Sequence, residues 1–203
     1  MRFQTTKPLI LASASPRRKE LLSLLGVPFD VKTMEIDERA MSGQSASELV
    51  CNIAMEKGLD VSDRNPDAIV ISADTMVFID DEALGKPENA EMAKSYLRKL
   101  SGRTHTVITG VAIFVDDMCD VFYEKTKVTF YVLSEEWINN YVASGDCFDK
   151  AGGYGIQTVG ALMVEHINGD YNNVVGLPIA GVFRELKNLQ LIDFQPIGRR
   201  YDN

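Results

Sequence analysis

Residues 8–19 read Pro8-Leu9-Ile10-Leu11-Ala12-Ser13-Ala14-Ser15-Pro16-Arg17-Arg18-Lys19. The apolar run from Pro8 to Ala12 is short and unbroken, the pattern of a buried strand. Small residues follow it. Ser15 is placed to cap a helix, and Pro16 suits the first helical position, where a missing N–H costs nothing. Leu21, Leu22, Leu24 and Leu25 then form an apolar stripe, and Gly26 stops the helix. A buried strand passing through a small-residue turn into a helix is the unit of an α/β fold. The same stretch breaks a local rule. Helix N-termini carry partial positive charge and favour acids, yet Arg17, Arg18 and Lys19 crowd this one. An anion bound at the turn would relieve the repulsion, and strand–turn–helix geometry is the kind that cradles phosphate. Ser13 and Ser15 add hydroxyl donors. The alternative is an ordinary solvated Ser-Pro cap. A GxxxxGK[ST] loop is absent.

Outward from this unit, Val27 to Glu35 reads as a second strand. Ser45 to Glu48 forms a capping box for a helix whose inner face carries Ala46, Leu49, Val50 and Ile53, and which Gly58 weakens or closes. Ala68 to Ala73 is another buried strand, and Met76 to Ile79 continues in the same style up to the acidic turn Asp80-Asp81. Glu88 to Leu100 is predicted helical after Pro87, with Ala90, Ala93, Leu97 and Leu100 inward and Gly102 at its end. Val107–Val115 and Lys125–Leu133 are predicted strands. In the second, Val128, Phe130 and Val132 share one face, opposite Lys127, Thr129 and Tyr131. Ser134 caps a helix to Ala143, with Glu135 and Glu136 favouring its dipole. A glycine-rich loop spans Asp149 to Gly155. Leu162 to Ile167 is a strand, Asn168-Gly169 signals a hairpin, Pro178 opens a last helix to Leu189, and the tail from Asp193 is expected to be loose. Strands mix with helices throughout but hairpins interrupt strict alternation, which predicts an α/β fold with a mixed, twisted sheet flanked by helices. No linker or repeat divides the 203 residues, so one domain over 1–203 is expected.

Two further positions break the pattern. Lys57 lies four and seven residues after Ile53 and Val50, so it points with the apolar stripe; it is either a snorkelling lysine or an ammonium aimed into a cleft. Asp74 follows the buried run Ile69-Val70-Ile71-Ser72-Ala73 near the carboxyl end of a strand, where open α/β sheets bind ligands. A carboxylate there can hold a divalent ion, activate water, or cap a turn. Glu35, Asp37 and Glu38 gather hard oxygen ligands of the type that suits magnesium or manganese, or are solvated loop charges. Lys86, extended by Pro87, and Gln157, after the glycine run, are further polar candidates, each with a surface or loop reading beside the functional one.

The net charge of −8 disfavours long nucleic acid and anionic membrane as partners, while leaving room for a local cationic pocket. Cys51, Cys119 and Cys147 are scattered with no CxxC pair, and with only His105 and His166 a zinc cluster is not expected. The apolar run at Leu9 is too short for a signal h-region, and no run approaches the length of a membrane helix, so a cytoplasmic protein is expected.

Six motifs in order carry a resemblance: Leu11-Ala12-Ser13-Ala14-Ser15-Pro16-Arg17-Arg18, Ser72-Ala73-Asp74-Thr75, Gly85-Lys86-Pro87, Leu100-Ser101-Gly102-Arg103-Thr104-His105, Asp149 to Gln157, and Val175-Gly176-Leu177-Pro178. From Leu9 to Leu189 the chain resembles the Maf family, septum formation proteins that act as nucleoside triphosphate pyrophosphatases. The resemblance implies a fold like that of inosine triphosphate pyrophosphatases, with two lobes around a cleft. It also implies a divalent cation (magnesium or manganese), a homodimer and a cytoplasmic setting. Its catalytic acid matches Asp74, which with Glu38 would hold the metal. Its phosphate-binding groups match Ser13, Arg18, Lys57 and Lys86. The subfamily acting on dTTP and UTP is the nearest in pattern, with specificity positions matching Arg17, Thr75 and Gln157. Ser72 and Gly153 depart from the residues common in the family, both by small changes. The implied reaction is hydrolysis to the monophosphate and pyrophosphate. A non-catalytic nucleotide-binding regulator of cell division is the alternative, and a phosphomonoester hydrolase a more distant one.

Overall fold

A computed structural model describes residues 3–33 and 45–195. The opening unit forms as its sequence demands: β2 (Leu9–Leu11) is fully buried and leads through the serine turn into α1 (Pro16–Ser23), where the Ser15 hydroxyl accepts from the Arg18 N–H. Leu21, Leu22 and Leu25 are buried, but Leu24 turns to solvent. Of the strand expected over Val27–Glu35, only β3 (Asp30–Val31) pairs within the described residues, and both its residues are exposed.

Next come α2 (Ala46–Asp63), β4 (Ile69–Ile79) and β5 (Glu82–Leu84), followed by α3 (Ala90–Leu100), β6 (Thr104–Val115) and β7 (Met118–Phe130). The sheet order is β3-β2-β4-β6-β7, with β8 (Val164–Asn168) at the far edge and β5 paired to β4. Only β2 with its two neighbours is parallel; every other pairing in this sheet is antiparallel, so the sheet is mixed as expected. β1 (Phe3–Thr5) pairs with β9 (Ile192–Phe194) in a separate ribbon, with the Phe3 ring 5.2 Å from that of Phe194. The tail expected to be loose from Asp193 is therefore tied down through Phe194.

Side chains alternate across the long strands, giving the sheet two apolar faces. Ile69, Ile71, Ala73, Val77, Val107, Val111, Ile113, Val128 and Phe130 face the larger core. There they meet α1, α3, α4 (Glu135–Ala143) and α6 (Ile179–Asn188). Ile10, Val70, Ala112 and Phe114 face the other way, under Ala54 and Val61 of α2. Gly58 does not close α2 but lets it approach the sheet. A Cβ there would sit 2.3 Å from the Phe114 ring and 2.5 Å from the Ser72 hydroxyl, so the helix interior accepts the lower propensity of glycine.

Three other expectations change. β7 stops at Phe130, leaving Val132 exposed rather than aligned with Val128 and Phe130. α3 starts at Ala90, capped by Asn89, and Ala90 is exposed. Asn168-Gly169 is a turn with Gly169 at φ +132°, but no hairpin strand follows. Asp170 instead caps α5 (Tyr171–Val175), which folds back onto β6 and β7.

His105 is buried within the larger core. Its Nε2 is 2.8 Å from the Tyr154 hydroxyl, and the rings of Phe130 and Tyr154 meet it edge-on. Burial pushes its pKa down to about 4. The folded protein thus binds that proton less readily than the unfolded chain, whose histidine titrates near about 6.5. The contribution is complete above pH 6.5 and is lost as pH falls towards 4. Unfolding free energy should drop by up to about 3 kcal/mol over that window. Urea titrations at several pH values check this: a His105→Gln variant should show a flatter profile, and parallel profiles for the two proteins would exclude the assignment.

Candidate active site

The long strand β4 supplies the floor of the site through its pairing. Ile71 pairs with Leu11 of β2 on one edge, and Val77 pairs with Leu84 of β5 on that same edge, since β6 occupies the other. Between them, from Ser72 to Met76, the edge carries neither strand. Asp74 sits at the centre of this gap. The sequence places it near a strand's end; in fact the strand runs on, and it is the parallel pairing with β2 that ends three residues earlier. Ligands of α/β sheets occupy the ends of parallel strands for the same reason: side chains there meet no covering strand.

Asp74 is 5 % exposed and faces α2. Lys57, one helical turn beyond Ile53 on the buried stripe, reaches it with Nζ 2.6 Å from Oδ1. Both side chains are largely removed from water, so the pair interacts in a medium where charges are weakly screened. Asp74 Oδ2 is buried with no hydrogen-bond partner. A desolvated carboxylate oxygen without a donor is costly unless a ligand, water or cation completes it.

The opposite side of the gap is the N-terminus of α1. Its first turn has no acid. Arg18 folds back over the turn and grips three elements at once: Nε donates to the Gly176 carbonyl (2.8 Å), Nη1 to Ser13 Oγ (3.3 Å) and Nη2 to Thr75 Oγ1 (3.0 Å). The planar fork of arginine suits this spread of acceptors. Ser13 also accepts from the Ser15 N–H, which fixes the turn. Arg17 points the other way, to the glycine-rich loop, donating to the Asp149 carboxylate (2.8 Å) and carbonyl (3.3 Å). Lys150 donates to the same carboxylate (2.6 Å) and to Asp146. Burial alone raises the Asp149 carboxyl, but hydrogen bonds from Lys150 and Arg17 outweigh it and hold it down at about 2.

These walls enclose a cleft of about 1010 Å³, at the upper end of common ligand pockets. Ser13, Arg17, Arg18, Lys57, Asp74, Thr75, Lys86 and Gln157 all line it, although they come from segments up to 144 residues apart, Ser13 to Gln157. Lys86 and Gln157 are exposed at its rim. Among the described residues five cations line it (Arg17, Arg18, Lys57, Lys86, Lys150) against three carboxylates (Asp74, Glu88, Asp149), a local excess of positive charge in an acidic protein. Such a pocket concentrates anions.

As for a divalent cation, no cluster of three or more ligating side chains occurs among the described residues. Asp74, with its unpartnered buried Oδ2, fits as one hard oxygen ligand. Glu35, Asp37 and Glu38 lie outside the described residues. Sequence reasoning assigned no role to Asp149, Lys150 or Thr109. Asp149 and Lys150 stand inside a motif but look like loop charges until the fold brings Arg17 to them. Thr109 carries no local signal, and only the β4–β6 register sets it beside Thr75.

Residues 8–189 match the family described as Maf-like protein. A Bacillus cereus (strain ATCC 10987 / NRS 248) protein named dTTP/UTP pyrophosphatase is 50 % identical over 188 residues, covering 93 % of each chain. A Bacillus anthracis protein of the same name is 50 % identical over 185 residues, covering 91 % of this chain and 97 % of its own. Among solved structures, a HAM1 protein from Coxiella burnetii shares the fold, with a TM-score of 0.51 at 14 % identity over 90 % of this chain and 100 % of that one.

Proposed function

This chain belongs to the Maf-like protein family, and from that premise we propose that it is a nucleoside triphosphate pyrophosphatase that hydrolyses dTTP and UTP to the monophosphate and pyrophosphate. The observation that carries the reading is the buried Asp74–Lys57 pair, its Oδ2 unpartnered, at the strand-edge gap of a cationic cleft. Binding a polyanion needs cations, but it does not need a buried carboxylate, which would repel it. Hydrolysis can use one, as the acceptor of the water proton or as a cation ligand.

In the proposed reaction Arg18, Lys57, Lys86 and the Ser13 turn neutralise and position the triphosphate. Asp74 orients a water and takes its proton as the oxygen bonds to the α-phosphorus. The bond from that phosphorus to the bridging oxygen breaks, and pyrophosphate leaves with the electron pair. Lys57 holds the Asp74 carboxylate in place through their ion pair. Positioning and preorganised charge supply most of the effect in such phosphoryl chemistry. Asp74, with Glu38 from the acidic stretch, would hold magnesium or manganese. That cation would supply further neutralisation of the triphosphate and of the leaving pyrophosphate. Arg17, Thr75 and Gln157 set the substrate preference in this reading. A homodimer and a cytoplasmic setting belong to it through the family resemblance. No helix among the described residues is long and apolar enough to cross a membrane.

Product analysis tests it. With magnesium, dTTP and UTP should yield monophosphate and pyrophosphate, and should do so faster than CTP, GTP or 7-methyl-GTP. Release of inorganic phosphate would point to a phosphomonoester hydrolase. Triphosphate binding without cleavage, with manganese also tried, would leave a nucleotide-binding regulator.

A further inference from the structure

Behind the cleft wall runs a chain of hydroxyls whose polarity is set at both ends. Thr109, fully buried on β6, donates its hydroxyl proton to the Asn173 carbonyl at 3.0 Å. A carbonyl can only accept, so that proton is committed inward. Thr75 lies directly opposite Thr109 in the β4–β6 register, with the two Oγ1 atoms 2.9 Å apart. Having spent its one proton on Asn173, Thr109 must accept in this contact and Thr75 must donate. The other acceptor within reach of Thr75 is the Gly176 carbonyl at 3.4 Å, also a protein atom. From the cleft side, Arg18 Nη2 donates to Thr75 Oγ1 at 3.0 Å, and a guanidinium can only donate. Donation therefore runs from Arg18 to Thr75, from Thr75 to Thr109, and from Thr109 to the Asn173 carbonyl.

A hydroxyl has one proton and two lone pairs. The proton of Thr75 is committed to the protein interior and one lone pair to Arg18, which leaves a single uncommitted lone pair on a residue that lines the cleft. We infer that Thr109 is a positioning residue that turns the Thr75 proton inward, so that Thr75 recognises a hydrogen-bond donor on the substrate and not a phosphate oxygen. Phosphate oxygens at neutral pH only accept, and Arg18 and Lys57 serve those. The donors a thymine or uracil nucleotide can offer are a sugar hydroxyl and the imide N–H of the base. The inference rests on the pyrophosphatase reading and extends it, because it assigns which kind of group Thr75 discriminates.

The test uses the full chain, with wild type, Thr109→Val, Thr109→Ser, Thr75→Val and the Thr75→Val/Thr109→Val double variant. Valine keeps the shape of threonine and removes the hydroxyl; serine keeps the hydroxyl. Thr109→Val should raise KM for dTTP by about tenfold, the scale of one lost hydrogen bond, and Thr109→Ser should restore it to within about twofold. Inhibition by inorganic tripolyphosphate, which offers acceptors only, should not change in Thr109→Val, where Thr75 still accepts from Arg18. Adding Thr109→Val to Thr75→Val should cause no further loss, since the first acts through the second. The 3′-deoxy analogue of dTTP separates the donors: a loss that vanishes on it assigns the sugar hydroxyl, and a loss that persists assigns the imide N–H. An unchanged KM in Thr109→Val, additive losses in the double variant, or weakened tripolyphosphate inhibition in Thr109→Val would each overturn the inference. If Thr109→Val does not fold, Thr109→Ala, which also lacks the hydroxyl, takes its place under the same criteria. Should wild type release no pyrophosphate from dTTP, it is the underlying reading that fails.

Discussion

Asp74→Asn should fold and bind triphosphate but turn it over at least about 10²–10⁴-fold more slowly, the range a general base contributes. The substitution is nearly isosteric, and the amide oxygen can still accept from Lys57, so the packing of α2 on β4 has little reason to change. What disappears is the charged proton acceptor that Asp74 places at the strand-edge gap, together with the carboxylate oxygen that fits a cation. Binding should hold or tighten, because a buried negative charge beside a polyphosphate is removed. Single-turnover rates report the chemical step, and titration of the variant with dTTP reports the binding. Turnover near that of wild type would exclude Asp74 as the base. Weak binding with an intact rate at saturation would recast it as a substrate-positioning group. Loss of both, with a lowered melting temperature, would mean that the Lys57 pair serves the fold more than the reaction.

Arg18→Ala should reduce kcat/KM by about 10²-fold, since hydrogen bonds to charged groups contribute about 1.5–3 kcal/mol each when desolvated. Arg18 joins the α1 turn, the β4 floor and the Gly176 backbone through three donors. Its removal takes a cation from the phosphate side of the cleft and releases Ser13 and Thr75 together. Arg18→Lys should recover little of the loss, because a single ammonium cannot span acceptors arranged for a planar fork. Arg17→Ala is the control one residue away. That side chain is engaged outward by Asp149 at the rim, in a surface pair of modest value. Its loss should alter the preference among triphosphates more than the rate on dTTP. Steady-state kinetics on dTTP and UTP for the three variants check the ordering, and equal effects at the two arginines would reject this division of labour.

Much of the architecture was legible because its causes are local. The caps at Ser15, Ser45 and Ser134 bond to N–H groups three residues on, so a tetrapeptide carries the whole signal. The orientation of Lys57 followed from helical period alone, since Ile53 and Val50 share its face. The misreadings have non-local causes. Gly58 looked like a helix breaker, whereas Phe114 and Ser72, brought close by the sheet, require the absence of a side chain there. Asn168-Gly169 turned as expected, but whether a strand or a helix follows is settled by Asp170 and by its seat on Thr126. Phe194 read as tail because its partners, Phe3 and the β1 backbone, lie at the other end of the chain.

By itself the sequence determined the strand–turn–helix unit, the class of the fold, and the residue types the chemistry requires, because these depend on propensity, periodicity and motif order. It also singled out Arg18, Lys57 and Asp74 by the local rules they break. Only the tertiary structure decided that Asp74 lies in a gap between two strands sharing one edge, that Lys57 is ion-paired with it, that Arg17 and Arg18 diverge to different walls, and that Thr109 stands behind Thr75. Each of those facts is a strand register or a contact between distant segments. Registers are set by the packing of whole faces, which no window of neighbouring residues contains.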